Sequence, residues 1–527
     1  MSNSRAAIFA ALFPCLLLSL AVGLTPAPVS AQDVTLKSRD GDVTIEGDLL
    51  GFDGEFYRVD TIYGELTVDG SGVLCEGPGC PNLSAYVAEA TLSGAPTMGR
   101  VLMPALIEAF ALRQGLELSR DHTSDIDFTY TLSDPETREA RGRFQIRLTN
   151  TDEGFADLLA GEADMVMSLR EVTRAEAIRG REIGLGDLRD ARRSRVLALD
   201  ALVPLVSAGN PVTQITTPEL AQLLSGEIVD WTPLGGADAP IAVHLHDTTT
   251  GLGQSTERQM LRGDGASFTP DAIRHLDGES LSRAVAQDPF AIGVGSRSEK
   301  GLTFELALMG DCGFGMTATR RAVKTEDYPL TAPMFLYLPA RRLPKMMREF
   351  LAFTREPAAQ LVIRRAGFVD QLPEEIAIDD QGDRFANAVL RAGEDVSLED
   401  LQRMVRVLSP LKRLTTTFRF EPGSARLDAQ SRSNVESLAR ALESGFYDGR
   451  QLVFVGFSDG EGPASANQKI ALRRANTVKD AVIRMAETAQ LDRMSLQTEA
   501  FGEAMPMACD DSEWGRRANR RVEIWMR

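Results

Sequence analysis

The chain changes its hydrophobic rhythm several times. Over residues 33–82 apolar and polar positions alternate in short runs, "VTLKSRDGDVTIEGDLLGFDGEFYRVDTIYGELTVDG", with DG or YG between them. Period-two alternation punctuated by turn residues predicts short strands, a small β module. From about Ala85 to Leu372 strand-like runs alternate with helix-like ones: "YVAEATLSG" precedes "VLMPALIEAFALRQG", "RFQIRLTN" precedes "GFADLLAGE", and "IAVHLHD" precedes "GQSTERQML". This order predicts an α/β domain, long enough for two lobes with a cleft between them. Residues 373–412 are rich in charge, hold one or two helical patterns, and read as a connector. From about Arg413 the order is strand, the helix "AQSRSNVESLARALESG", a buried-looking strand "QLVFVGFSD", the helix "NQKIALRRANTVKDAVIRMAE", and two more strands. That β-α-β-α-β unit has the usual size of one domain.

The predicted plan is therefore a leader over 1–31, a β module over 33–82, a two-lobed α/β domain over 83–372, a linker over 373–412 and a last domain over 413–527. The leader is inferred from Arg5, the apolar run "AAIFAALFPCLLLSLAVGL" and the small residues Val29, Ser30 and Ala31, which together read as a secretory signal peptide cut after Ala31. No later run is apolar enough to span a bilayer. Export changes how the cysteines read, because an oxidising compartment favours disulfides. Cys75 and Cys80 flank the turn sequence EGPG and are expected to pair, whereas Cys312 and Cys509 either pair or stay free.

Net charge is −18, yet the stretch from Arg413 on holds 17 basic and 16 acidic residues, so nearly all the surplus acid lies upstream. An acidic chain without a basic stripe argues against a nucleic-acid partner. Catalytic motifs are missing too. "VGFSDG" has the wrong neighbours around its Ser for a nucleophile elbow, and no motif calls for a cofactor. The expectation is a binding protein, not an enzyme.

Three segments of the α/β region share one design. "SGAPTMGR" (Ser93 to Arg100), "TNTDEGF" (ending at Phe155) and "HDTTTGLG" (His246 to Gly253) each follow a strand and precede a helix. Each offers hydroxyls and a Gly. Helix N-termini converging on a cleft would bind an oxyanion without metal, through N–H groups and helix dipoles. His244 and His246 lie two apart on one strand, next to Asp247, which is also a zinc spacing. A packed His pair is the plainer alternative. The agreement of three loops puts the anion first, and no metal site is expected.

This region, from about Tyr86 to Leu372, resembles the phosphate-binding proteins of ABC importers, the PstS type. Further matches are "GEADMVMSLR", "PFAIGVGS" and "ALDALVPLVSAGNPVTQITTPELAQLLSGEIVDW". The resemblance implies two α/β lobes joined by a hinge that close on the anion. It implies anion contacts from Thr97, Met98, Thr151, Thr250 and Gly251, with Ser168 in the family's "A-S-D" position. Leu169 stands where that motif has Asp, and Arg170 is next and could face the cleft. The family's "R-D-x-x-S-G-T" reads "HDTTTGL", so His246 replaces its Arg and Leu252 its last Thr.

In the last domain Asp459 ends a strand, Arg474 lies in the following helix, and Asn467 sits at the helix start. An Asp and an Arg close together suit a zwitterion, the carboxylate taking an ammonium and the guanidinium a carboxyl group. The alternative is an ordinary surface salt bridge. The stretch from about Thr415 to Arg527 resembles the OmpA-like peptidoglycan-binding domain. The family's "G-H-T-D-x-x-G … N-x-x-L-S-x-x-R-A" and "G-R-x-x-N-R-R-V-E" read here "GFSDGEG … NQKIALRRA" and "GRRANRRVEI". Phe457, Ser458 and Ala471 depart from the pattern. The resemblance implies that Asp459 and Arg474 hold the diaminopimelate of a peptidoglycan stem peptide, with Asn467, Asn519, Arg520 and Arg521 framing the pocket.

The fold expected is thus multi-domain α/β: a β module, a two-lobed domain like periplasmic binding proteins, and a C-terminal OmpA-like α+β sandwich. The function expected is a periplasmic binder of phosphate or a similar oxyanion, held non-covalently to peptidoglycan at the cell wall or outer membrane, with an ABC permease or another envelope protein as partner. A wall-anchored scaffold or sensor whose cleft no longer binds phosphate is the alternative.

Overall fold

A computed structural model describes residues 33–527 except 261–266, 311–312, 394, 422–423, 425 and 511. The expected signal peptide and Cys312 lie outside the described residues. The chain forms two compact units, which divide at Leu83 and Ser84. The first carries an antiparallel five-stranded sheet of Val34–Ser38, Thr44–Phe52, Phe56–Thr61, Gly64–Asp69 and Val73–Glu76. Its alternation works as read, with Val34, Leu36, Tyr57 and Val59 forming the small core. Cys75 and Cys80 are disulfide-bonded, which compensates for so small a core. Cys509 is buried and disulfide-bonded as well.

The second unit opens with the two-lobed part. In lobe one the strands lie in the order Met165–Ser168, Ala88–Gly94, Ala140–Leu148, Asp127–Ser133, Glu117–His122. In lobe two, Ala242–His246 pairs in parallel with both Ile273–His275 and Ala291–Ser296. Two antiparallel strands, Ser194–Val206 and Thr331–Tyr337, run between the lobes, and a bridge from Leu199 to Val369 adds a third pass. Ser194–Val206 is buried along almost its whole length, which is why "RVLALDALVPLV" has no polar alternation.

In the C-terminal part, Arg521–Met526 pairs with both Lys412–Arg419 and Gln451–Gly456, and Ser495–Ala500 extends the sheet in parallel. The helices Ala429–Glu443 and Ala464–Met485 cover one face, meeting Leu452, Phe454, Val522 and Ile524. The other face carries Val453, Val455, Phe457 and Trp525, and what covers it corrects the expected linker. Residues 373–412 are not a free connector. Glu375–Ile376 adds an edge strand to the sheet, and the helices Gly382–Leu390 and Leu398–Leu408 pack Ala388, Leu401, Met404 and Leu408 onto the second face. A strand as apolar as "LVFVGF" must bury both faces, so the segment before the domain is drawn in as its second layer.

A fully buried carboxylate sits in that layer. Glu523 accepts from Arg384 at 2.5 Å, from Arg521 at 2.7 Å and from the Trp525 indole at 2.9 Å. Burial alone would raise its pKa, but Arg384, Arg413 and Arg521 hold it well below the usual carboxylate range. Stability from this group is therefore fully present above the ordinary Glu pKa and lost as pH falls below it. Replacing Glu523 by Gln leaves buried guanidinium groups without their counter-charge. The expected loss is about 3–5 kcal/mol in urea unfolding of the full chain; a loss under about 1 kcal/mol would mean water already reaches the arginines.

Candidate functional site

Four helix starts meet at a cavity of about 370 Å³ between the lobes. Lobe one brings Thr97 and Arg100, at the start of the helical turn Met98–Leu102 that runs into the helix Met103–Gln114, and Asn150, which caps Thr151–Ala160. Lobe two brings Thr250 and Gly251 at the start of Gly251–Met260, and Asp277 and Gly278 at the start of Gly278–Gln287. The first N–H groups of a helix have no intrahelical partner, and the dipole adds positive potential there. The lobes are closed on each other. The Gln254 amide donates to Asp152 across the cleft at 2.8 Å. A Cβ on Gly251 would lie 2.8 Å from Thr151 Oγ1, so the residue has to be Gly for the lobes to come this close.

Of the expected anion contacts, Thr97, His246, Thr250 and Gly251 line the cavity. Four others do not, and the reasons are local. Met98 is fully buried in the core, and its amide donates to the Ala95 carbonyl at 3.1 Å. Thr151 Oγ1 is used behind the wall, accepting from Leu169 N at 3.2 Å. The Ser168 hydroxyl donates to the Arg170 carbonyl at 2.6 Å and is fully buried. Arg170 stacks over Phe155, and its guanidinium is taken up by Glu176 and Asp152. Burial opposes the Arg170 charge, but those two carboxylates outweigh it and hold the pKa up. An Arg so neutralised has nothing left for a ligand.

Arg100 is the one cationic side chain among the described residues lining the cavity, and sequence reasoning did not single it out. Glu299 was missed too. Its Oε2 is buried with no hydrogen-bond partner, and burial, then Asp200 and Asp277, pushes its pKa up to about 7. A Cβ on Gly278 would meet that oxygen at 2.0 Å, so Glu299 rests directly on a helix start. His246 is 2% exposed, and its Nε2 also lacks a partner. Burial and the neighbouring His275 push the imidazole down to about 4. His275 reaches this place through the parallel pairing that sets it beside His246, and its Nε2 lies 2.9 Å from His244 Nδ1. Among the described residues no cluster of His, Cys, Asp and Glu is arranged to hold a metal.

The C-terminal pocket is built on Gly456. A Cβ there would lie 2.0 Å from the Ala471 carbonyl, so this Gly lets the helix Ala464–Met485 press onto the strand and brings Arg474 toward Asp459. Asp459 is 9% exposed, and its direct partner is Arg520, at 2.8 Å, which also holds Glu513. Arg474 lies over the Phe420 ring with a buried Nη1 that has no partner. Burial lowers its pKa while Asp459 opposes the shift. Asn467 donates to Glu503 at 2.6 Å. Asn519 bonds the amides of Met507 and Ala508 and the carboxylate of Asp510, so it shapes the wall. Arg521 does not frame the pocket: it is fully buried, pairs with Glu523 and stacks on Phe457, because alternation along its strand points it inward.

Two parts of the chain match known families. Residues 129–356 match the model of a PBP superfamily domain, and residues 419–520 match the OmpA family. A phosphate-binding protein, PstS, of Borreliella burgdorferi is 23% identical over 198 residues, 37% of this chain and 71% of that protein. The outer membrane protein Omp38 of Acinetobacter baumannii is 28% identical over 103 residues, 20% of this chain and 28% of its own length. Among solved structures, an ABC-type phosphate transport receptor from Vibrio cholerae aligns with 22% identity and a TM-score of 0.40, over 53% of this chain and 99% of the receptor.

His246 is expected to be neutral from mildly acid pH upward. Its imidazole resonances, assigned with His246→Gln, should titrate with a midpoint at about 4 and stay flat from pH 5.5 to 8. A midpoint at about 6.5 would instead make it a cation of the cleft at mildly acid pH.

Proposed function

We propose that this chain, which joins a PBP superfamily domain to an OmpA family domain, is an exported anion receptor fastened to the cell wall. Its cleft takes phosphate or a similar oxyanion. Its C-terminal pocket takes the diaminopimelate of a peptidoglycan stem peptide, Asp459 receiving the ammonium and Arg474 the carboxylate. A signal peptide over 1–31 sends it to the periplasm, at the wall or outer membrane, where an ABC permease or another envelope protein receives the ligand.

One observation carries the anion assignment: four helix starts surround two buried polar atoms, His246 Nε2 and Glu299 Oε2, that have no partner in the protein. A buried polar atom left unsatisfied costs about 1–3 kcal/mol. An oxyanion satisfies both. A neutral imidazole donates from Nε2, and a protonated Glu299 donates from its carboxyl. Arg100 and the helix starts supply the positive potential that a bidentate Arg would otherwise give. The names of the relatives agree with this ligand. A scaffold with an idle cleft has no use for two such buried, unpartnered atoms on the lobe-two wall of the cavity.

The pH dependence follows from Glu299. Its raised pKa keeps the proton on below about 7, so phosphate binding should weaken as pH rises through that value. Calorimetric titration of the full chain at pH 6 and pH 8.5, with phosphate and with sulfate, which does not titrate in this range, measures this; Glu299→Gln should bind sulfate equally at both. Arg100→Ala should weaken phosphate about tenfold or more, the scale of one charge-assisted hydrogen bond. No heat with millimolar phosphate at either pH would sink the receptor assignment. Separately, Asp459→Ala should abolish sedimentation with purified sacculi; retention of the variant would remove the pocket from wall binding.

A further inference from the structure

We propose that the two ligand sites are coupled, so that filling the anion cleft and filling the wall pocket change each other's affinity through the way the C-terminal domain is docked. The proposal rests on the reading of both sites given above.

The C-terminal domain grips both lobes and the strands between them. On lobe one, Glu171 accepts from Ala429 N at 3.1 Å, and Arg355 pairs with Glu436 at 2.5 Å. On the segment leaving lobe two, Lys324 pairs at 2.8 Å with Glu374, whose amide is bonded to Thr415. Just before the crossing strand Thr331–Tyr337, Asp327 takes Arg413 at 2.8 and 3.2 Å, and the Glu326 carbonyl takes Arg419 at 2.6 Å. Opening two lobes about crossing strands changes their mutual angle. A domain that holds both lobes and the hinge cannot keep all of these bonds in the open and closed states.

The same contacts end at the two sites. Leu169 lines the anion cavity, and Glu171 is two residues further on. At the other end, Arg419 donates to the carbonyls of Arg517 and Ala518, at the close of the helix Glu513–Asn519. The next residue but one after Ala518 is Arg520, the partner of Asp459. Arg517 itself pairs with Asp428, the neighbour of Ala429. Phe420, next to Arg419, lies under the Arg474 guanidinium.

The junction is under tension in the closed form. Glu326 has φ 55°, a left-handed conformation costly for a residue other than Gly, and its Oε1 is buried without a partner. Strain and an unsatisfied oxygen at the hinge are what a two-state element shows when one of its states is held by contacts elsewhere. Coupling requires such an element, biased by both ligands.

The test uses the full chain and calorimetry. Phosphate is titrated with and without saturating soluble diaminopimelate-containing muropeptide, and the muropeptide with and without saturating phosphate. Each ligand should change the Kd of the other by about fivefold or more, by the same factor in both directions. Arg419→Ala and the milder Glu171→Ala, whose side chain is partly exposed, should bring that factor to one while each ligand alone binds within about twofold of the parent. A factor of one in the parent, with both ligands binding, overturns the coupling and leaves the two sites standing. A factor unchanged in Glu171→Ala and in a folded Arg419→Ala overturns the junction as its route. No binding of phosphate alone overturns the receptor reading, and the coupling with it.

Discussion

Glu523 is a charge with no exposed surface, and the C-terminal part of the molecule is arranged around its neutralisation. Its three guanidinium neighbours come from three places: Arg384 from the segment before the domain, Arg413 from the first strand, and Arg521 from the last. Arg413 is shared, its other face holding Asp327 at the hinge of the two-lobed part. Removing one member of such a set costs more than the set contributes, because the remaining charges are left in a medium of low polarity. The network therefore sets register more than it adds stability. It requires that the 373–412 segment, the sheet and the hinge be assembled together.

The anion cleft is built on a different principle. It has one exposed Arg and three acids in its lining, so its positive potential comes from backbone. Helix starts bring N–H groups that lose no side-chain entropy on binding, and the two lobes bring two starts each. Closure excludes water and strengthens those dipoles. The acids have structural uses: Asp277 caps the helix Gly278–Gln287, and Glu153 lies in the first turn of Thr151–Ala160, the helix Asn150 caps. Glu299 alone has no such use, and its burial against Gly278 sets it apart from them.

Much of this was legible in residue order. The strand-loop-helix design of three segments pointed to a cleft, and the family resemblance, not the design, named Thr97, His246, Thr250 and Gly251 within it; the fourth helix start, at Gly278, escaped because its strand, Ile273–His275, is too short to stand out. Arg170 was misplaced because sequence does not show that Asp152 and Glu176 lie on either side of it. Arg521 was misplaced by one step of alternation: adjacent arginines in "NRRVE" point to opposite sides, and only Arg520 reaches Asp459. The linker was misread because charge density on a helix says nothing of its apolar stripe. The stripe Leu401, Met404, Leu408 was there, with nothing nearby in sequence to bury against.

Docking the last domain rigidly has a consequence for how wall attachment acts. A flexible linker would raise local concentration near a partner and leave receptor orientation free. Here residues 373–412 are packed into the sheet, and Ser84–Arg527 form one compact unit. If Asp459 and Arg474 hold a stem peptide as proposed, attachment would fix the direction in which the cleft between the lobes faces. The route proposed for coupling runs from Arg520 and its helix through Arg419 and Arg517 to the hinge. On the proposed coupling, such a tether would both orient the receptor and bias its closure, through the same contacts between the C-terminal domain and the hinge.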